Sequence, residues 1–303
     1  MFVRNVLPRL RAPAAAAAAA ACASAWYGCS SIVGAENAPS VGLDPAAWRP
    51  LKLEKVTPVS GNTAVYRFAY ADPKATSGMT VASCLLTKAS IGSVKADGSR
   101  AAVIRPYTPT TRPEVAGHLD LVVKSYPEGK MSKHIASLKV GDTLDFKGPI
   151  TGVPIIQNEF DSIGLIAGGS GITPMLQVAQ RVLANPDDQT NVSLIFANVS
   201  EDDILLRDKI EELRKEHPAQ LRVLYVLDEP PDVWRGGRGY VSKGMLRALM
   251  PDPLLGSLAK VLICGPPGMV KHLAGELPSK KGQGELGGLL RELGFDASQV
   301  FKF

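Results

Sequence analysis

Two kinds of stretch in this 303-residue chain combine residues that could handle phosphate and flat aromatic rings. The first is Arg105-Pro106-Tyr107-Thr108-Pro109-Thr110. A guanidinium is a planar fork that matches phosphate oxygens. Tyr107 adds an aromatic face and Thr108 a hydroxyl, so a phosphorylated aromatic cofactor suits the set. Further on, Gly129-Lys130-Met131-Ser132 opens a helix, whose first N–H groups lack intrahelical acceptors and favour an anion. Taken singly, each is equally a strand end or a helix cap.

The second kind is a glycine turn after an apolar run. Ser162–Ala167 leads into Gly168-Gly169-Ser170-Gly171-Ile172-Thr173-Pro174. Glycines permit close backbone approach, and a turn opening onto a helix N-terminus binds phosphate through free N–H groups. Pro174 stands where the usual fingerprint has its last glycine, and proline is tolerated near a first helical turn. A tight structural turn is an equal alternative. The layout repeats at Cys264-Gly265-Pro266-Pro267-Gly268-Met269, after the apolar Val261–Ile263. Cys264 has no His or Lys neighbour in sequence, so it reads as a small buried hydrophobe rather than an activated thiolate.

Two grammars position these motifs. From Leu51 the pattern is strand-like: Tyr66, Phe68 and Tyr70 alternate with their neighbours in Thr63–Tyr70, the period of a half-buried strand. Further strands are expected at Met79–Leu86, Ala101–Tyr107, His118–Tyr126 and Thr143–Lys147, and a helix at Lys133–Leu138 capped by Ser132. This predicts an antiparallel β-barrel or a sandwich over residues 49–150. After Gly148-Pro149, strands (Ser162–Ala167, Asn191–Val199, Leu221–Leu227, Lys260–Cys264) alternate with helices (Pro174–Leu183, Asp202–Glu216, Ser242–Met250, and one after Pro267). That alternation predicts a doubly wound α/β domain with a parallel sheet over residues 151–303. Two glycine turns at the carboxyl ends of its strands would share the edge where open α/β sheets bind ligands.

The charge does not point to nucleic acid. The net +5 includes Arg4, Arg9 and Arg11, which precede the first acid at Glu36; the remainder has 31 basic against 29 acidic residues. No basic stripe with interleaved aromatics remains. Residues 1–35 read as a targeting leader, an Arg-bearing, acid-free segment followed by an uncharged run from Ala12 to Ala35. That is mitochondrial-transit chemistry, with a run long enough to act as a membrane anchor; a secretory signal and a low-complexity leader are the rivals. Residues 36–48, with Pro39, Gly42 and Pro45, read as a linker. Four cysteines exclude a disulfide scaffold, and the four scattered histidines, with no cysteine cluster, give no metal or haem signature.

Jointly and in order, these motifs resemble the NADH–cytochrome b5 reductases, most closely the fungal mitochondrial members, within the ferredoxin–NADP reductase superfamily. The resemblance runs from about Arg49 to Phe303 and includes Lys124 with Tyr126, Phe196-Ala197-Asn198, Asp203-Ile204-Leu205-Leu206-Arg207 and the ending Val300-Phe301-Lys302-Phe303. It implies a flavin domain followed by a pyridine-nucleotide domain, with FAD as cofactor and NADH as substrate. By resemblance, Arg105 binds the FAD pyrophosphate, Tyr107 lies against the isoalloxazine, Thr108 approaches its N5, and Pro106 is a further cofactor-binding residue. Gly129, Lys130, Met131 and Ser132 hold the pyrophosphate, and Val122, Lys124 and Thr173 line the flavin. Lys124 also assists the nucleotide, and Gly169, Ser170, Gly171, Cys264, Gly265, Pro266 and Met269 surround the nicotinamide. Asp228 matches the acidic position associated with NADH, because a carboxylate bonds a ribose 2′-OH and repels a 2′-phosphate. The rival for Asp228 is a solvated loop acid. Tyr107, Thr108, Lys124 and Cys264 are the residues expected nearest the reaction. The implied partner is a cytochrome b5-like haem protein, the location mitochondrial (outer membrane or intermembrane space), the form monomeric. A reductase with another acceptor and a non-catalytic nucleotide-binding module are the alternatives. Two departures stand out. Ser170 replaces the family's usual Thr, and Met79-Thr80-Val81-Ala82-Ser83-Cys84 stands where the family has Gly-Gln-His.

Overall fold

The first half of the chain is organised by period-two burial. In this computed structural model, which describes residues 40–278 and 282–303, six strands form one antiparallel sheet: β1 (Arg49–Ser60), β2 (Thr63–Ala69), β3 (Ser83–Ala89), β4 (Val103–Tyr107), β5 (His118–Lys124) and β6 (Thr143–Thr151). Their order is β4-β3-β6-β1-β2-β5. Inward residues fill the middle with Leu53, Phe68, Leu85, Leu119, Leu121 and Phe146. Phe68 meets Phe146 edge-to-face at 4.9 Å between ring centroids, a favourable aromatic geometry. The sheet curls until its edges meet: the Thr110 N–H donates to the Asp120 carbonyl at 2.9 Å, and the Asp120 N–H to Thr111 Oγ1 at 2.6 Å.

Residues 40–48, read as linker, lie against this domain. Leu43 is part of the buried core, and Gly42 N–H donates to Thr76 O at 2.9 Å. The strand expected from Met79 begins only at Ser83. Ala82 adopts a left-handed φ of +55°, which ends any extended run there. Helix α1 spans Lys130–Ser137 with Gly129 at its N-cap, so Ser132 is a first-turn residue and not the cap.

The second half is a parallel sheet of β7 (Ser162–Gly168), β8 (Asn191–Asn198), β9 (Leu221–Leu227), β10 (Gly237–Arg238), β11 (Ala259–Cys264) and β12 (Val300–Lys302), in the order β10-β9-β8-β7-β11-β12. The interior of β7 is buried without alternation, as expected when helices cover both faces. Those helices are α2 (Ile172–Leu183), α3 (Arg207–Glu216), α4 (Lys243–Leu249), α5 (Pro267–Ala274) and α6 (Gly288–Glu292). Ser242 caps α4 as expected, accepting from Met245 N–H at 3.3 Å. The helix expected over Asp202–Glu216 is broken. A 3₁₀ turn at Glu201–Asp203 and Leu206 at φ +57° precede α3. The chain winds outward from β7 to β10, then returns to lay β11 on the other side of β7. The order of winding therefore reverses between β7 and β11, and ligands of open α/β sheets bind at such a reversal. Met1–Ala35 lies outside the described residues. Among the described residues, no helix is long and apolar enough to cross a membrane.

Candidate functional site

The two glycine turns leave adjacent strands at this reversal, since Ala167 pairs with Cys264 across β7 and β11. They interlock. A Cβ on Gly171 would lie 2.2 Å from the Cys264 carbonyl oxygen, and one on Gly265 would lie 3.1 Å from Gly168 Cα and 2.6 Å from Met269 Cε. A Cβ on Gly168 would meet Pro266 Cδ at 2.7 Å. These glycines are thus needed by one another as much as by any ligand. The consequence is that the N-termini of α2 and α5 start side by side, both without side-chain caps. Uncapped first turns present free N–H groups and a positive dipole end to an anion, although at α2 the Ile172 N–H is already taken by the Gly169 and Ser170 carbonyls of the preceding 3₁₀ turn. Gly169 sits at φ +53°, next to Ser170, whose Oγ lies 3.3 Å from the Tyr126 hydroxyl. Thr173 is buried and donates to the Ser170 carbonyl at 3.2 Å. Burial pushes the Cys264 thiol up to about 12, with Cys84 adding to the effect, so the neutral thiol is favoured at neutral pH.

Across from this edge the antiparallel domain contributes two surfaces. On β5, Val122 and Lys124 share one face while Leu121 and Val123 point into the barrel core, the alternation that a strand imposes. Val122 and Ala82 join the buried cluster of the parallel domain. On β4, Arg105 is exposed. Its Nη1 donates to its neighbour Ile104 O at 2.8 Å, and it forms no ion pair among the described residues. Tyr107 is half-buried and burial raises its hydroxyl to about 12, so it acts as a neutral aromatic plate. Thr108 is buried beside it and Pro106 is exposed. At the start of α1, Ser132 Oγ receives the Tyr126 N–H at 3.3 Å and donates to Gly129 O at 3.2 Å. A Cβ on Gly129 would lie only 2.2 Å from that Oγ. Lys130 is exposed, while the Met131 side chain is spent in the barrel core, leaving only its backbone for a ligand.

Between the surfaces lies a contact that motif reading passed over. Lys124 Nζ pairs with Asp203 Oδ1. Burial works to raise the Asp203 carboxyl, but hydrogen bonds from Lys124 and Ser200 outweigh it and hold it below the usual carboxylate range. The signal was present as Ser200-Glu201-Asp202-Asp203, a Ser with an acid three residues on, which is the capping-box pattern. Asn198, at the end of β8, is buried with both amide atoms lacking a protein partner. A buried amide without partners is costly, and its position between the Gly168 turn and Asp228 makes it a ready donor and acceptor for a bound nucleotide. Asp228 follows β9 directly and is exposed; its N–H donates to Asn198 O at 3.0 Å. Partial burial and the adjacent Glu229 raise its carboxyl above the ordinary value. Tyr240, unflagged by sequence, is 79% exposed and follows β10, whose Arg238 is paired with Leu227; Asp228 and Tyr240 thus leave the same end of paired strands. A separate groove of about 470 Å³ beside β9 is lined by Arg207, Tyr225 and Trp234. Arg207 there pairs with Glu201 at 2.6 Å and the Tyr225 hydroxyl donates to Glu211 at 2.9 Å.

The residues present fit two dinucleotides. An arginine without a carboxylate and the uncapped first turn of α1 are available on one side. Two uncapped helix starts, an unpartnered buried amide and Asp228 are available on the other. No group of histidines, cysteines and acids among the described residues could hold a metal.

Comparison with known proteins agrees. Residues 50–154 match the oxidoreductase FAD-binding domain family and residues 165–274 the oxidoreductase NAD-binding domain family. The chain is 48% identical over 268 residues to a NADH-cytochrome b5 reductase-like protein of Arabidopsis thaliana, covering 88% of this chain and 80% of that one. It is 50% identical over 256 residues to NADH-cytochrome b5 reductase 2 of Aspergillus niger, covering 84% and 77%. Among solved structures, the cytochrome b5 reductase domain of Ulva prolifera nitrate reductase superposes with a TM-score of 0.74 at 30% identity, covering 87% of this chain and all of that one.

Proposed function

Because this chain belongs to the NADH-cytochrome b5 reductase family and is an FAD-dependent NADH oxidoreductase, we propose that its two facing surfaces divide the work between cofactor and substrate. Arg105 and the first turn of α1, through Gly129, Lys130, Met131 and Ser132, bind the FAD pyrophosphate. Tyr107, with Pro106 and Thr108, borders the ring system, and Val122 and Thr173 close its other side. The flavin, when bound, supplies the chemistry: it accepts a hydride and releases electrons singly. This chain's own residues orient and exclude water. Gly169, Ser170 and Gly171, with Gly265, Pro266 and Met269, seat the nicotinamide end of NADH, and Cys264 packs there as a neutral thiol. Lys124 meets the nucleotide's charge, and Asp228 accepts a hydrogen bond from a ribose 2′-hydroxyl. None of these residues takes a proton from a reacting carbon, which accords with the absence of His from the set.

The observation that carries the reading is the interlocked pair of glycine turns at the strand reversal, facing a phosphate-ready barrel surface. The acceptor is a cytochrome b5-like haem protein, a proposal supported by the names of the relatives and tested by following reduction of ferric cytochrome b5 with NADH as donor. Reduction at the rate of flavin turnover supports it; rapid flavin reduction without cytochrome reduction assigns another acceptor. The domains divide near residues 150–151, residues 1–35 deliver the protein to the mitochondrion and associate with its outer membrane or intermembrane space, and the enzyme acts as a monomer. Fusing residues 1–48 to a reporter and fractionating cells tests the delivery.

A further inference from the structure

Lys124 and Asp203 belong to different halves of the molecule, β5 of the barrel and the 3₁₀ turn after β8. Their side chains are 12% and 20% exposed. The Asp203 carboxylate is engaged on both oxygens. Oδ1 takes the Lys124 ammonium, and Oδ2 takes the Ser200 N–H at 3.2 Å and the Ser200 hydroxyl at 3.0 Å. The two residues before Ser200 are held to the sheet edge, since Val199 O accepts from Glu229 N–H at 2.8 Å and Asn198 O from Asp228 N–H at 3.0 Å. An ammonium on the barrel is therefore located relative to the strand ends that carry the Gly168 turn on one side and Asp228 on the other. A lysine side chain left free loses rotamer entropy on binding a ligand; one already fixed does not, which is how preorganisation improves affinity.

We propose that Asp203 is a positioning residue for the dinucleotide: from the turn after β8, the strand between those carrying the Gly168 turn and Asp228, it holds the Lys124 ammonium to meet the anionic middle of NADH. The inference rests on the reading of Lys124 as a nucleotide-binding residue. Asp203 touches no part of the nucleotide and acts only through Lys124. The lowered carboxyl of Asp203 keeps that side chain a carboxylate across the neutral range.

The test is a double-mutant cycle on the flavin-loaded full chain, titrating NAD⁺ by calorimetry into wild type, Lys124→Met, Asp203→Asn and the double variant, with kcat and KM for NADH measured in parallel. Lys124→Met is expected to weaken NAD⁺ about tenfold, the scale of one lost charge-assisted contact. Asp203→Asn is expected to weaken it about threefold or more, raising KM while kcat stays near wild type, and the double variant is expected to bind no worse than Lys124→Met alone. Additive losses, or Asp203→Asn binding as tightly as wild type or tighter, overturn the positioning role. If Lys124→Met itself binds NAD⁺ normally, the reading of Lys124 fails instead. Should Asp203→Asn not retain flavin, Asp203→Glu keeps the charge but displaces it, and unchanged NAD⁺ affinity in that variant equally overturns the proposal.

Discussion

At the scale of single residues, charge state decides what each group can do. Cys264 is held as a neutral thiol by burial, so its place beside the nicotinamide turn is one of packing. Iodoacetamide at neutral pH is expected to label it far more slowly in the native protein than in denaturant; rapid native labelling contradicts a neutral thiol. Asp228 has the opposite exposure and a raised carboxyl. Asp228→Ala is expected to raise kcat/KM for NADPH relative to NADH about tenfold or more, the equivalent of about 1.4 kcal/mol of relieved repulsion. The direction with pH follows. A carboxyl with a raised pKa takes up its proton at a higher pH than an ordinary Asp, so wild-type discrimination narrows as pH falls from neutral, and in Asp228→Ala it does not change with pH. Arg105, Tyr107, Lys124 and Asp228 were all legible as candidates because cationic forks, rings and acids stand out by type. Asn198 and Asp203 were passed over as candidate ligand or positioning residues because their significance lies in which partners they have or lack, which only the fold supplies.

At the scale of elements, the glycine turns carry the tightest constraint. Gly171→Ala sets a Cβ 2.2 Å from the Cys264 backbone oxygen, whereas Gly268→Ala enters open space. Backbone cannot yield as a flexible side chain does, and overpacking typically costs about 1–3 kcal/mol. Gly171→Ala is expected to lower the unfolding midpoint and weaken NAD⁺ binding, with Gly268→Ala near wild type in stability; equal effects from both contradict the interlock. The turns were visible in the sequence, but read as room for a ligand. That they first make room for each other depends on β7 and β11 being neighbours, a long-range fact. Element boundaries slipped for local reasons: Ala82 and Leu206 take left-handed conformations that alanine and leucine seldom advertise, and Gly129 rather than Ser132 starts α1.

At the scale of the whole molecule, the change from period-two to strand–helix grammar near residue 150 made the two architectures readable in advance. The strand order and the closure of the barrel through Thr110 and Asp120 were not, because pairing between distant segments leaves no local mark. Residues 40–48 show the same limit: their Pro and Gly content reads as linker, yet Leu43 is a core residue. Leu43→Ala is expected to destabilise the protein by about 2–5 kcal/mol, measured by denaturant unfolding; a change below about 0.5 kcal/mol places this segment outside the folding unit. The most direct measurement of the central claim, that two facing surfaces bring NADH to a bound flavin, is the visible spectrum of the purified full chain before and after anaerobic NADH. The protein is expected to be yellow and to bleach with NADH much faster than with NADPH. A colourless protein, or a yellow one that NADH leaves unbleached, contradicts it.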